Sequence, residues 1–158
     1  VRQTVMHEAN GAGTRELIAF LVGSQEFCVD VMGVREIRVW TQATPVAHAP
    51  AFMYGVINLR GAVLPIIDLA VRLGLSPTTP TSRHAVLVVE IGSQMVGLLV
   101  EGVSEILTIN QDAIQSAPDI VSHMAKSFVQ GILPLDGRML SLLSFDAILP
   151  SEGMQIAA

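Results

Sequence analysis

The chain has 158 residues, 51% of them hydrophobic and only 15% charged, which excludes disorder and allows one ordinary domain or two very small ones packed together. A formal net charge of −5, with 9 Lys and Arg scattered along the chain, excludes a nucleic-acid footprint and favours protein partners. The longest uncharged run, Val39 to Leu59, holds Pro45, Pro50, Gln42, His48 and Asn58, too many breakers and polar groups for a membrane span.

In chain order, residues 1 to 14 read as a flexible lead-in with Gly11 and Gly13 and no secretory signal. Short runs rich in Val, Ile, Leu and Phe, closed by Gly, Ser, Asn and Asp, then predict strands near 17–22, 26–32, 34–39, 54–59 and 62–67. Gly33 stands between two such runs and predicts a bulge or bend, as does Gly102 later. Ser76-Pro77-Thr78-Thr79-Pro80-Thr81-Ser82 reads as a linker. Beyond it, strands are expected near 85–91, 95–100, 103–108, 130–135 and 138–143, followed by a tail over 151–158.

The second set of strands repeats the first. Val22-Gly23-Ser24-Gln25, Val31 and Gly33-Val34-Arg35-Glu36-Ile37 return 69 residues later as Ile91-Gly92-Ser93-Gln94, Val100 and Gly102-Val103-Ser104-Glu105-Ile106. Phe52, Gly55, Val56, Leu59, Gly61, Leu64 and Ile66 return 76 residues later, from Phe128 to Leu142, so the second half carries about seven extra residues before Phe128. The expectation is an all-β fold of two five-stranded barrels related by internal duplication, the first from about 15 to 75 and the second from about 83 to 150. Halves of this size bury roughly 60% of their unfolded surface and are marginal alone. Segments 85–91 and 96–100 are apolar on both faces, which predicts a third apolar layer between the barrels.

Few residues are candidates for chemistry. Asp68 ends a strand before Leu69-Ala70-Val71-Arg72, and Ser144 takes its place before Phe145-Asp146-Ala147-Ile148, so both read as helix caps rather than catalytic groups. His7, His48, His84 and His123 have no metal-ligand spacing and read as surface or loop residues. Cys28, the lone cysteine, fits a reducing cytoplasm and reads as a small core residue opposite Gly97. No P-loop or nucleophile elbow is present, and neither metal nor cofactor is expected. The exception is Asn58-Leu59-Arg60-Gly61: its counterpart Pro134-Leu135-Asp136-Gly137 has the Asp-Gly that a two-residue hairpin demands, whereas Arg60 is a poor residue for that position. Either Arg60 serves a function or its turn is of another type. Glu36 would pair with Arg60 if the strand ends meet.

The run Phe52-Met53-Tyr54-Gly55-Val56-Ile57-Asn58-Leu59-Arg60-Gly61-Ala62-Val63-Leu64-Pro65-Ile66-Ile67-Asp68-Leu69 closely resembles the signature of the CheW family, the coupling proteins of bacterial chemotaxis. Further likeness lies in 27–37, 96–103 and the hairpin 131–142, so the resemblance covers nearly everything from Glu16 to Pro150. It implies a pair of SH3-like five-stranded barrels without catalysis, cytoplasmic but recruited to membrane-associated arrays, that links chemoreceptor tips to the histidine kinase CheA, with rings of the two as a further implication. It implies a receptor-binding groove using Val34, Glu36, Ile37, Val100 and Val103, and a coupling turn at Asn58, Arg60 and Gly61. The same domain ends CheA kinases and begins CheV-type proteins, so an excised regulatory domain is the alternative. A small enzyme or ligand-binding barrel using the cleft between halves is the rival from another class.

Overall fold

The structure is a computed structural model that describes residues 13–116 and 127–149. The expected tail, most of the lead-in and much of the extra loop before Phe128, with His7 and His123, lie outside the described residues. Ten strands follow in order: β1 (Thr14–Val22), β2 (Gln25–Asp30), β3 (Val34–Val39), β4 (Met53–Leu59), β5 (Ala62–Asp68), β6 (Ala85–Ile91), β7 (Gln94–Val100), β8 (Gly102–Asn110), β9 (Val129–Leu135) and β10 (Arg138–Leu143). Two one-turn helices, α1 (Leu69–Arg72) and α2 (Phe145–Ile148), follow β5 and β10. Thr14, expected in the lead-in, already pairs with Asn110. The strand expected over 26–32 stops at Asp30, whose Oδ1 accepts the Met32 N–H at 2.9 Å and starts a single 3-10 turn over Val31–Gly33.

The ten strands form two five-stranded sheets, ordered β8-β1-β2-β10-β9 and β3-β6-β7-β5-β4. Replacing each strand by its repeat converts one order into the other. The strands are not divided between sheets at the linker, however, as the expected barrels over 15–75 and 83–150 require. Each sheet takes its two central hairpin strands from one half and its other three from the other half, joined by the parallel pairs β2–β10 and β5–β7. The turn Val31–Gly33 redirects the chain from one sheet into the other, and Glu101 does so between β7 and β8. The bends expected at Gly33 and Gly102 are thus present at these crossings, and bulges follow two residues later, where register shifts leave Arg35 of β3 and Ser104 of β8 without a paired residue.

Alternation along the central strands accounts for three apolar clusters. In β1, Leu17 and Ala19 point into their own sheet with Cys28, Leu107, Leu133 and Leu140, whereas Ile18, Phe20 and Val22 point at the other sheet. In β6, Val86 and Val88 join Leu64, Ile66 and Leu99, whereas Leu87 and Val89 meet Ile18 and Phe20 in the shared layer. The third layer expected between the barrels is therefore present, and each large side chain buried in it contributes roughly 1.5 to 3 kcal/mol. Cys28 is a core residue as expected, and burial pushes its thiol pKa up to about 12, so it remains protonated at neutral pH.

Each sheet curls until the run after one edge strand touches the other edge. Thr44 and Val56 exchange two backbone bonds of 2.8 Å, and Gln115 and Ile132 exchange bonds of 2.8 and 2.7 Å. The repeated glycines Gly55 and Gly131 permit these approaches: a Cβ would lie 2.6 Å from the Thr44 carbonyl oxygen at the first and 2.8 Å from that of Gln115 at the second.

The two expected caps differ. Asp68, only 3% exposed, accepts the Ala70 N–H at 3.2 Å, and it also holds the linker through the Thr78 N–H at 2.8 Å and the Thr78 hydroxyl at 2.6 Å. Ser144 stands at the cap of α2, but its side chain makes no capping bond. What the two positions share is a backbone bond, from Asp68 N–H to the Phe52 carbonyl at 2.7 Å and from Ser144 N–H to the Phe128 carbonyl at 2.8 Å. Asp68→Ala leaves three donors without an acceptor and is expected to cost about 1 to 3 kcal/mol in chemical denaturation. Ser144→Ala is expected to change it by less than about 0.5 kcal/mol; equal losses would restore a shared capping role.

Candidate functional site

The expected meeting of Glu36 and Arg60 occurs. Leu59 pairs with Ala62, so Arg60 and Gly61 form a two-residue loop, and both have positive φ, at 53° and 87°. Asp136 and Gly137 match them at 51° and 81°. The Arg60 turn is thus of the same kind as its twin rather than of another type, and Arg60 holds a left-handed conformation that costs roughly 1 to 2 kcal/mol relative to glycine. Asn58 supports the loop by accepting the Gly61 N–H at 3.0 Å.

Arg60 donates to Glu36 Oε1, and Arg38 Nη1 donates to Oε2 of the same carboxylate at 2.9 Å. These hydrogen bonds, Arg38 first and then Arg60, hold the Glu36 carboxyl below its ordinary pKa. Glu36 and Arg38 share the edge strand β3, whereas Arg60 is at the tip of the hairpin that carries the opposite edge, β4, so the Arg60–Glu36 pair ties the curl together at one end. The twin, Glu105, binds Arg138 Nη2 at 2.7 Å, and Arg138 Nη1 also binds Glu26 at 2.8 Å. One cluster therefore has two arginines on one glutamate and the other two glutamates on one arginine. The clusters around the twin glutamates carry opposite surplus charge, and the matched hairpin tips carry Arg60 and Asp136.

The groove residues divide. Val34 and Val103 are twins, half-buried and packed on the shared layer from different sheets, Val34 beside Val89 and Val103 beside Phe20. Ile37 is 45% exposed on β3. Val100 is 1% exposed and belongs to the shared core, so it cannot contact a partner. The reason is that β7 is central in its sheet and apolar on both faces. Sequence reasoning missed Ile106, the twin of Ile37, which is 62% exposed, and Val39 two residues beyond Ile37 on the same strand face. The constant 69-residue shift was the signal for Ile106. It also missed Arg38, which the two-residue alternation of β3 puts on the same face as Glu36, and Arg138 and Glu26, which a single unpaired strand does not reveal.

Among the described residues no three His, Cys, Asp or Glu side chains converge to hold a metal ion, and no helix is long and apolar enough to cross a membrane. His48 lies in an exposed turn, and His84 Nδ1 accepts the Thr81 N–H at 3.0 Å.

Comparison with known proteins matches residues 16–153 to the CheW-like domain. The chain belongs to the CheW family. It is 54% identical to a chemotaxis protein CheW of Rhizobium meliloti, over 96% of each chain. It is 35% identical to that of Klebsiella aerogenes, over 97% of this chain and 92% of the other. The crystal structure of the scaffolding protein TtCheW from Thermoanaerobacter tengcongensis has a TM-score of 0.83 at 26% identity, covering 97% of this chain and 98% of that one. Fold and family thus agree with the resemblance read from Phe52 to Leu69.

Because Glu36 is held below its ordinary pKa, its charge and both arginine contacts persist above the ordinary carboxylate range and are lost as pH falls through the lowered value. Arg60→Gly removes one of the two donors and the left-handed strain together. Carboxyl NMR titration should show the Glu36 pKa rising toward its ordinary value without reaching it, while the thermal midpoint stays level or rises. A lower midpoint would mean that Arg60 is held there for stability.

Proposed function

We propose that this chain is a non-catalytic chemotaxis adaptor that couples the cytoplasmic tips of chemoreceptors to the histidine kinase CheA, and that it is recruited to membrane-associated arrays through those partners. Family membership supports the chemotaxis role. The observation that carries the two-sided reading is the opposite surplus charge of the ion-pair clusters around the twin glutamates, Arg38–Glu36–Arg60 in one sheet and Glu26–Arg138–Glu105 in the other. A protein with one fold repeated and two differently charged faces is suited to hold two different partners, since charge complementarity chooses partners and orientation.

In this reading the receptor occupies the apolar border offered by Val34, Ile37 and Val103, with Glu36 beside it. The turn Asn58, Arg60 and Gly61 serves the coupling contacts. A strained arginine at an exposed tip is a residue kept against local preference, as functional loop residues often are.

The experiment is co-sedimentation of the chain with receptor-tip fragments and purified kinase. Both partners should be retained, and binding of neither would end the proposal. Arg60→Glu reverses a charge at the hairpin tip next to Glu36; assembly should weaken about tenfold while the melting temperature stays nearly unchanged. Unfolding of this variant would make Arg60 a structural residue.

A further inference from the structure

Arg72, at the end of α1, is unused by the faces described above and touches both halves of the duplication. On the 76-residue shift its twin is Ile148. Arg72 Nε donates to the carbonyl of Ile148, and Nη2 donates to that of Ala147 at 3.3 Å. Its guanidinium lies 5.2 Å from the ring centre of Phe52 and 4.7 Å from that of Phe128. Those phenylalanines are themselves twins. A side chain set between twin rings and bonded to its own twin lies close to the approximate two-fold axis, where one copy keeps a cation and the other an aliphatic group.

The rings stand at the roots of the hairpins. Phe52 directly precedes β4 and its carbonyl is bonded by Asp68, and Phe128 directly precedes β9 and its carbonyl is bonded by Ser144. The apolar layer between the sheets resists separation but has little directional preference. Stacking of a flat guanidinium and its forked hydrogen bonds are directional. We propose that Arg72 is a positioning residue that sets the β4–β5 and β9–β10 hairpins relative to each other, so that partners on both faces are held at once. The consequence for partners rests on the adaptor reading, whereas the setting of the hairpins does not.

The test uses the full chain with Val63→Cys and Met139→Cys, twin exposed positions near the hairpin tips, spin-labelled while Cys28 stays buried. Pulsed electron paramagnetic resonance should give one narrow distance with Arg72 and a broadened distribution with Arg72→Lys, which keeps the charge but loses the fork and the flat stack. Without labels, Arg72→Lys should bind receptor fragment or kinase alone with affinity changed by less than about twofold, yet form the three-component complex about tenfold more weakly. An unchanged distance distribution, or single affinities falling in step with the three-component one, overturns the proposal. Should Arg72→Lys not fold, Phe52→Leu removes one ring, leaves the carbonyl bonds in place and is read in the same way. Failure of the unsubstituted chain to bind either partner sinks the adaptor reading instead, and the distance measurement still decides the role of Arg72.

Discussion

The structure depends on strands being shared between halves. Neither repeat contains a complete sheet: β1 and β2 need β8, β9 and β10, while β6 and β7 need β3, β4 and β5. A half of this size is marginal alone, and the exchange makes the question of its separate stability moot, because separating the halves would expose the central strands on their edges as well as their faces. Every later feature follows from that interlocking. The shared layer is continuous because β1, β2, β6 and β7 present one apolar face to their own sheet and the other to its neighbour.

The strands themselves were legible in the sequence, and their bounds mostly agree to within a residue or two. The apolar runs are bounded by glycine turns whose two-residue loops leave little freedom in register. The partition into sheets was not legible. An internal repeat says which segments are alike, and a strand whose natural partner lies in its own repeat finds an equivalent partner in the twin. The pattern of apolar residues is the same for the exchanged and unexchanged arrangements, so only the geometry of Val31–Gly33 and Glu101, which send the chain across to the other sheet, separates them. Val100 was misplaced for a related reason: a valine at the end of a strand looks like a border residue until the strand is known to be central.

At the candidate site, the conflict between Arg60 and the turn it occupies was visible from its twin, and so was the option of a pair with Glu36. Arg38 was legible, two residues from Glu36 on the same strand, but Arg138 was hidden because it reaches Glu105 from another strand, a contact made only when the sheet curls. Ser144 shows the opposite failure. Matching Asp68 with Ser144 implied one shared task, but the carboxylate of Asp68 is engaged mainly with Thr78 of a linker that the first repeat alone leads into. What the twins share is carried by the backbone.

Duplication provides two equivalent surfaces, and equivalent surfaces alone would favour the same partner twice. Differences at matched positions remove that equivalence without altering the fold: Arg60 for Asp136 at the hairpin tips, Asp30 for Leu99 where the chain leaves the central strand, and Arg72 for Ile148 near the axis. Three of these charged residues have a specific contact. Arg60 holds Glu36, Asp30 binds Arg15 at 3.2 Å and starts the turn into β3, and Arg72 joins the two sets of hairpin roots. In the central strands of the buried layer both copies stay apolar, since a polar substitution there disturbs both sheets at once. At the tips and the turns a single residue can change one face while leaving its twin intact, and that is where an adaptor with two different sides acquires its asymmetry.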